Sequence, residues 1–150
     1  MEEFPTGVLF KRLDGIKMAD IPQYLEENKA ELKDDSKAFY YHMKNTVEKK
    51  GLFLKDVYLS AGVSESYGGK IITMEKHTKN RDLIIRLCIA GRFDLTETNR
   101  ALKLYGMSEL YPKISRDACI IVAINNHIYD LIRVDDCLRA EDLQILSGGA

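Results

Sequence analysis

Two short helical patterns joined by a single glycine constrain the fold of this chain more than any other feature. Apolar side chains recur at helical spacing on both sides of Gly62 within residues 54–72. Glycine adopts positive φ values without a steric penalty, so Gly62 suits a sharp turn, and Ser64 can cap the second helix. This is the spacing of a helix-turn-helix, which places its second helix in a DNA groove. The segment predicts an all-α fold with a recognition helix over about residues 64–74.

Length and composition indicate one soluble domain, with or without an appendage. The chain has 150 residues, of which 45% are hydrophobic and 30% are charged, as in globular proteins. No apolar run approaches the roughly 18 residues that span a bilayer, and the N-terminus lacks the basic start of a signal peptide. We therefore expect a cytoplasmic protein that does not enter a membrane. Cys88, Cys119 and Cys137 lie far apart in apolar helical patterns, which predicts reduced core residues rather than a disulfide or a metal site.

Charge is distributed unevenly along the chain. The formal net charge is −1, which argues against binding nucleic acid by electrostatic attraction alone. Residues 37–82 hold nine basic and five acidic residues, a net +4, whereas residues 1–36 have a net −4 and residues 83–150 a net −1. The predicted helix-turn-helix is thus in the basic part of the chain, as in a DNA-binding surface. An excess of this size supports DNA binding only weakly.

The first 35 residues are predicted to form an N-terminal segment with one helix. Much of this segment is irregular, although residues 8–13 could begin a hairpin. Asp20 can cap a helix over about residues 21–32, and Pro22 fits the first turn of that helix.

Residues 36–92 are predicted to form a helix-turn-helix bundle. Its first helix should run over residues 36–50 and end at Gly51, because glycine is favoured just after a helix. The stripe predicted to be buried consists of Phe39, Tyr40, Met43 and Val47.

A repeat follows the predicted recognition helix. Residues 80–89 resemble residues 115–124: in each copy a good N-cap residue precedes Arg-Asp and a largely apolar helix. A more polar helix follows each copy, over residues 96–105 and about residues 134–142. The repeat predicts two helical hairpins, and their apolar first helices should be the most buried elements.

The C-terminal region, residues 93–146, is predicted to pack on the bundle as a hairpin region, so that the two form one compact unit. Two repeats are fewer than a solenoid needs, which favours a compact bundle over a repeat protein. The tail, residues 147–150, is predicted to be disordered.

The order of these elements resembles that of the lambda-repressor-like (XRE-type) helix-turn-helix proteins. It is most similar to a bacterial group with a Ser-x-Ser-Tyr recognition helix, an Arg-Asp helix and a Leu-Tyr-Pro-x-x-x-Arg-Asp stretch. These motifs are residues 64–67, 81–82 and 110–117 here, within a resemblance that covers about residues 36–140. The resemblance implies an all-α fold and sequence-specific DNA binding. It implies that the base-facing residues are Ser64, Glu65 and Ser66, with Lys70 one turn further on.

Four residues depart from the pattern of that family. Tyr58 stands where alanine is usual and Gly68 where isoleucine or valine is usual, so the tyrosine ring is expected to fill the space at the glycine. Gly69 has no such explanation, and two adjacent glycines in a helix cost on the order of 2 kcal/mol relative to alanine. Glu65 would be repelled by phosphate and could only favour cytosine or select against other bases.

Basic and aromatic side chains near the recognition helix are candidates for DNA contacts. Lys70, Lys76 and Lys79, with His77, could hold backbone phosphates, which position a protein without reading sequence. The lysines around the preceding helices could do the same; they are Lys44, Lys49, Lys50 and Lys55. The alternative is a solvated basic face. Tyr67 could contact a base or phosphate, or could pack within the protein.

No pattern typical of catalysis, of a cofactor site or of a metal site occurs in the sequence. His42, His77 and His127 have no metal-ligand spacing, and neither His-Glu-x-x-His nor Cys-x-x-Cys is present. Asp135 and Asp136 are neighbours on a helix, point in different directions and are predicted to be surface charges. We do not expect the chain to be an enzyme.

Two functions remain open from the sequence. The first is a transcriptional regulator that binds double-stranded DNA, as a homodimer or with an effector. The second is an adaptor that keeps the fold, has lost DNA binding, and binds a protein partner through residues 93–146, as some antitoxins would. The double glycine, Glu65 and the negative net charge favour the second reading; the motif and the local basic excess favour the first.

Overall fold

The computed structural model describes residues 17–23 and 35–147, with the side chains of residues 35 and 36 left out. The chain divides into two compact units, residues 1–34 and residues 35–150.

In the first unit, Met18–Asp20 form a 3₁₀ helix that leads into helical residues 21–23. Lys17 is the N-cap of this 3₁₀ helix, and Asp20 is its last residue, directly before helical residues 21–23. The remainder of the predicted helix, the predicted hairpin segment and the last three residues of the predicted tail lie outside the described residues.

The second unit is built from α-helices, and the described residues contain no strand, which confirms the all-α class. In chain order the helices are α1 (Asp35–Lys49), α2 (Leu54–Ser60), α3 (Glu65–Ile72), α4 (Arg81–Ala90), α5 (Leu95–Leu104), α6 (Ser115–Asn125) and α7 (Leu131–Ala140). Helix α1 lies within one residue of its predicted bounds. Helix α7 begins earlier than predicted because Asp130 caps it, accepting a hydrogen bond from the Ile132 amide at 2.9 Å. None of the described helices is long and apolar enough to cross a membrane.

Helices α2, α4 and α6 end in the same way. Each is followed by a residue in the left-handed region, namely Gly62 (φ +75°), Arg92 (φ +59°) and His127 (φ +57°). The amide of the next residue then donates to a carbonyl five residues back at 2.9 Å, in the pairs Val63 to Tyr58, Phe93 to Cys88 and Ile128 to Ala123. This ending turns the chain sharply, so each helix forms a hairpin with the next.

Helix α4 lies at the centre of the core. Its residues 83–89 are all buried, as predicted. Helix α6 is different, because Ile120 and Ile124 are buried but Val122 is 59% exposed. The prediction that α6, like α4, is among the most buried helices is therefore wrong. Its neighbours α5 and α7 cover only part of its circumference.

The two hairpins of the repeat, α4–α5 (the first hairpin) and α6–α7 (the second hairpin), exchange their Arg-Asp dipeptides. The Arg81 guanidinium donates to both carboxylate oxygens of Asp117 at 2.9 and 3.0 Å. The Arg116 guanidinium donates to both oxygens of Asp82 at 2.8 and 2.9 Å. Such bidentate pairs combine charge with a fixed geometry. The exchange is reciprocal, as it would be between two copies related by a two-fold axis.

The helix caps of the two hairpins are not equivalent. Asn80 caps α4 by accepting a hydrogen bond from the Leu83 amide at 3.3 Å. Ser115, predicted to cap α6, is instead the first residue of that helix, which has no side-chain cap. The helix starts one residue earlier than predicted.

A short segment follows each hairpin, and the arginine of that hairpin's Arg-Asp dipeptide donates hydrogen bonds to its carbonyl groups. Arg81 donates to the carbonyls of Ser108 and Glu109 at 3.0 and 2.9 Å. Arg116 donates in the same way to the carbonyls of Gln144 and Ile145 at 2.8 and 3.1 Å. We call residues 144–146 the C-terminal strap.

The strap ends on a buried acid that the sequence analysis placed on the surface. Asp135 is only 4% exposed, and its carboxylate accepts a hydrogen bond from the Leu146 amide at 2.8 Å. In the first hairpin, Asn99 accepts a bond from the Leu110 amide in the same way at 2.9 Å. The prediction for Asp135 is therefore wrong, whereas Asp136 is exposed as expected.

The three cysteines are free, but they do not share one environment. Cys88 is buried, Cys119 is intermediate and Cys137 is exposed. Burial raises the pKa of the Cys88 thiol, which keeps it protonated. The prediction of core cysteines is right for Cys88 and wrong for Cys137, which lies on the solvent side of α7.

Candidate nucleic-acid interface

Helices α2 and α3 form a small hairpin with a well-defined turn. Its interior consists of the residues predicted from the sequence, Val57, Ala61, Val63 and Ile71, which are all buried. The Ser64 hydroxyl accepts a hydrogen bond from the Tyr67 amide at 3.1 Å, which confirms Ser64 as the N-cap of α3.

The first turn of α3 is a continuous exposed surface. Ser64, Glu65 and Ser66 are exposed, and Tyr67 keeps 39% of its surface accessible. Four successive side chains thus lie outside the core at a helix N-terminus, where the helix dipole favours a negative ligand. Glu65 occupies part of that favourable field with its own carboxylate.

The two glycines of α3 have different surroundings. A Cβ atom at Gly68 would lie 2.5 Å from Cδ1 of the Tyr58 ring, whereas one at Gly69 would meet nothing within 4 Å. The prediction that Tyr58 fills the space at Gly68 is confirmed. At Gly69 there is room for a side chain on the surface of α3, so no contact within the described residues explains the glycine.

The segment after α3, residues 73–79, is held in place although it contains neither glycine nor proline. Met74 takes the left-handed position at φ +64°, and the Lys76 amide donates to the Lys70 carbonyl at 3.0 Å. The Tyr105 hydroxyl accepts a hydrogen bond from the Thr78 amide at 2.9 Å. The His77 ring stacks on Tyr105 with 4.6 Å between centroids. Helix α5 therefore supports this loop.

The lysines near α3 fall into two groups. Lys70 is half-buried, Lys76 and Lys79 are exposed, and no carboxylate of the described residues forms an ion pair with any of the three. By contrast, Lys49 and Lys50 bind Glu97 on α5 at 2.9 and 2.7 Å.

The carboxylate of Glu97 is held ionised by these two lysines. Burial alone would raise its pKa, but hydrogen bonds from Lys50, the Asp94 amide and Lys49 lower the pKa of Glu97 to about 2. Lys49 and Lys50 are therefore engaged by a carboxylate of the protein itself, which makes them poor candidates for phosphate contacts.

Arg86 links the turn before α3 to the C-terminal strap, and the sequence analysis did not single it out. Its side chain is buried, and its Nε atom donates to the Ala61 carbonyl at 3.2 Å. Its Nη1 atom donates to the Leu146 carbonyl at 3.0 Å. Its role could have been suspected from the sequence, because Arg86 is a single charged residue among the apolar residues 83–90. A buried arginine needs hydrogen-bond acceptors.

The described histidines contact different partners and belong to no group of metal-ligating side chains. His42 is half-buried on α1 and donates through Nε2 to the Glu97 carbonyl at 2.8 Å; burial lowers its pKa. Within the described residues, no three His, Cys, Asp or Glu side chains are grouped as metal ligands would be. Tyr105 is buried and its ring packs against Phe39 and His77.

Comparisons with known proteins add no further constraint. No protein-family model, no curated protein and no solved structure matches the chain. The functional inference for this surface therefore rests on its own side chains.

Proposed function

We propose that the chain is a DNA-binding transcriptional regulator of the lambda-repressor-like type, in which α2 and α3 act as a helix-turn-helix. The observation that carries the proposal is the exposed first turn of α3, beside lysines that form no ion pair with the described residues. In this binding mode the N-terminal residues of the second helix contact base edges in the major groove.

The proposed contacts divide into base-reading and backbone-holding residues. Ser64, Glu65, Ser66 and Tyr67 project from the first turn and would meet base edges or the adjoining phosphate. Lys70, Lys76 and Lys79 follow along α3 and its loop and would hold phosphates. Gly69, where an added Cβ atom would meet nothing within 4 Å, would let the DNA backbone approach α3 closely.

Two features make the remaining surface suitable for this task. The turn before α3 is fixed by Arg86 and the loop after it by Tyr105, so the contact residues are presented by a rigid frame. Near α3, Lys49 and Lys50 pair with Glu97, whereas Lys70, Lys76 and Lys79 form no ion pair with the described residues. A localised basic surface of this kind suits a chain with a net charge of −1.

The test is fluorescence anisotropy of labelled duplex DNA, random or from the upstream region of the gene, over a salt titration. We expect tighter binding to the upstream duplex and an affinity that falls steeply with salt. Lys70→Glu should abolish binding while far-ultraviolet circular dichroism is unchanged. The matched control is Lys113→Glu, the same charge change at an exposed position in the turn before α6, and it should bind like the parent.

A second variant tests the sign of the local charge. Glu65→Gln removes a carboxylate that would repel phosphate, so its affinity for DNA should rise by about threefold to tenfold. If neither duplex binds even at low salt, or if Lys70→Glu and Lys113→Glu behave alike, α3 is not a recognition helix.

A further inference from the structure

An apolar cleft runs along one side of the second hairpin. It has a volume of about 620 Å³ and is lined mainly by apolar side chains of α6, of α7 and of the segments that follow these helices. Among them are Ala118, Cys119, Val122, Ile128 and Ala140. Val122 is 59% exposed, although apolar side chains of this size are usually buried.

The internal repeat shows which surface of the first hairpin this cleft corresponds to. Positions in α4 and α6 are 35 residues apart, as for Arg81 and Arg116, and positions in α5 and α7 are 36 apart, as for Asn99 and Asp135. On this register, the cleft residues Ala118, Val122, Ile128 and Ala140 correspond to Leu83, Leu87, Phe93 and Leu104. The last four all belong to the core or pack against it.

Helix α1 packs on the α5 side of this surface of the first hairpin, and α2 packs on α4. The Phe39 ring lies edge-on to Tyr105, with 4.8 Å between centroids. The His42 ring lies edge-on to Phe93 at 5.8 Å. The residues that correspond to Tyr105 and Phe93, Glu141 and Ile128, both line the cleft. Among the described residues, no helix takes the place of α1 on the second hairpin.

The side chains of the cleft are also smaller than those of the covered surface. Alanine replaces leucine at two positions, and isoleucine replaces the phenylalanine. A surface that was only adapted to water would exchange apolar for polar side chains. Smaller apolar side chains instead leave a recess that can accept the side chains of a helix.

The residue of the second hairpin at the position of Glu97 specifies the charge of that helix. Glu97 of the first hairpin binds Lys49 and Lys50 near the C-terminal end of α1. At the corresponding position the second hairpin has Arg133, which is exposed and has no ion pair within the described residues. The complementary helix should therefore be acidic where α1 is basic.

We propose that the cleft binds an amphipathic helix of a partner protein, in the position that α1 occupies on the first hairpin. The apolar stripe of that helix enters the cleft, and an acidic residue near its C-terminal end pairs with Arg133. This is a helix-in-groove interaction. It is independent of the proposed DNA binding, which uses the α3 surface.

The repeat itself supplies a probe for this site. The probe is a labelled synthetic peptide of residues 35–51 with Lys49→Glu and Lys50→Glu, and its reference is the same peptide with both lysines retained. Binding to the full chain is measured by fluorescence anisotropy. We expect the glutamate peptide to bind at least about tenfold more tightly than the lysine peptide. Arg133→Glu should reverse this preference.

Two substitutions to arginine test the location. Val122→Arg places a charge in the cleft and should weaken binding of the glutamate peptide by about tenfold or more. Ile132→Arg is the matched control, because Ile132 is 72% exposed on α7 and does not line the cleft; it should bind like the parent. Circular dichroism checks that both variants are folded.

Three outcomes would overturn the proposal. The first is that neither peptide binds the parent chain. The second is that the preference is unchanged in Arg133→Glu, or that Ile132→Arg weakens binding as much as Val122→Arg. The third is that light scattering finds a dimer that Val122→Arg dissociates, which would make a second copy of the chain the occupant.

Discussion

Helices α4 and α6 carry the same Arg-Asp dipeptide in their first turns and exchange two bidentate salt bridges, yet their surroundings differ. Residues 83–89 of α4 are buried on every side, whereas α6 is buried on one side and carries Val122 on the other. The difference comes from α1 and α2, which pack on α5 and α4 of the first hairpin and have no counterparts on the second among the described residues. An apolar helix is therefore a core helix only where a second element covers its other side.

The largest expected difference between the hairpins concerns corresponding apolar residues. Leu87 is fully buried and Val122 is 59% exposed. Leu87→Ala should lower the free energy of unfolding by about 3 kcal/mol, through lost transfer energy and a cavity. Val122→Ala should change it by less than about 0.5 kcal/mol. Urea unfolding followed by circular dichroism measures both; an equal loss would show that the outer side of α6 is covered in solution.

The next difference concerns the buried arginine of α4. Arg86→Met keeps an apolar stem but leaves the Ala61 and Leu146 carbonyls without their donor, which should lower the free energy of unfolding by about 1–3 kcal/mol. Ile121 occupies the corresponding position of α6, and Ile121→Met should have less than about half that effect. Equal effects in the same urea experiment would mean that the link from α4 to the strap adds no stability.

The smallest difference depends on pH. Glu97→Gln keeps an acceptor for the Asp94 amide but loses the charge that binds two lysines, at a cost of about 1 kcal/mol at pH 7. Because the pKa of Glu97 is lowered to about 2 in the folded chain, its contribution is present above the unfolded pKa of about 4.3. It is lost as the pH falls towards about 2.

The corresponding substitution in the second hairpin is Arg133→Gln, which should leave stability unchanged across this pH range. Thermal unfolding of both variants between pH 2 and pH 7, in steps of about one unit, distinguishes them. If the difference in unfolding temperature between Glu97→Gln and the parent stayed constant down to pH 2, the ion pairs of Glu97 would not be the source of its stabilising effect.

Glycines and local capping residues made much of the fold predictable. Gly51 and Gly62 both have positive φ values, and they mark the ends of α1 and α2 as the sequence analysis expected. Ser64 caps α3 because capping needs only a hydroxyl three residues before a free amide. The relation of Tyr58 to Gly68 could also be predicted, since both residues depart from the family pattern and compensate in volume.

Features that depend on distant parts of the chain could not be predicted in this way. Arg92 and His127 end helices in the left-handed region without being glycine, so their turns carry no strong local signal. Asp135 is buried because the strap returns to meet it, and the outward position of Val122 reflects a missing neighbour. The position of α3 was predicted from spacing and its outward-facing first turn from the family resemblance, whereas the role of Arg86 depends on two carbonyl acceptors that are distant in sequence.

The reciprocal exchange of Arg81, Asp82, Arg116 and Asp117 also has a topological consequence. Because each hairpin offers the other the same Arg-Asp dipeptide, the second hairpin of one chain can pair with the first hairpin of another chain through the same four side chains. Only the connection over residues 105–114 favours pairing within one chain, by keeping the two hairpins at a high local concentration. Shortening this connection would strain the closed arrangement and favour a domain-swapped dimer.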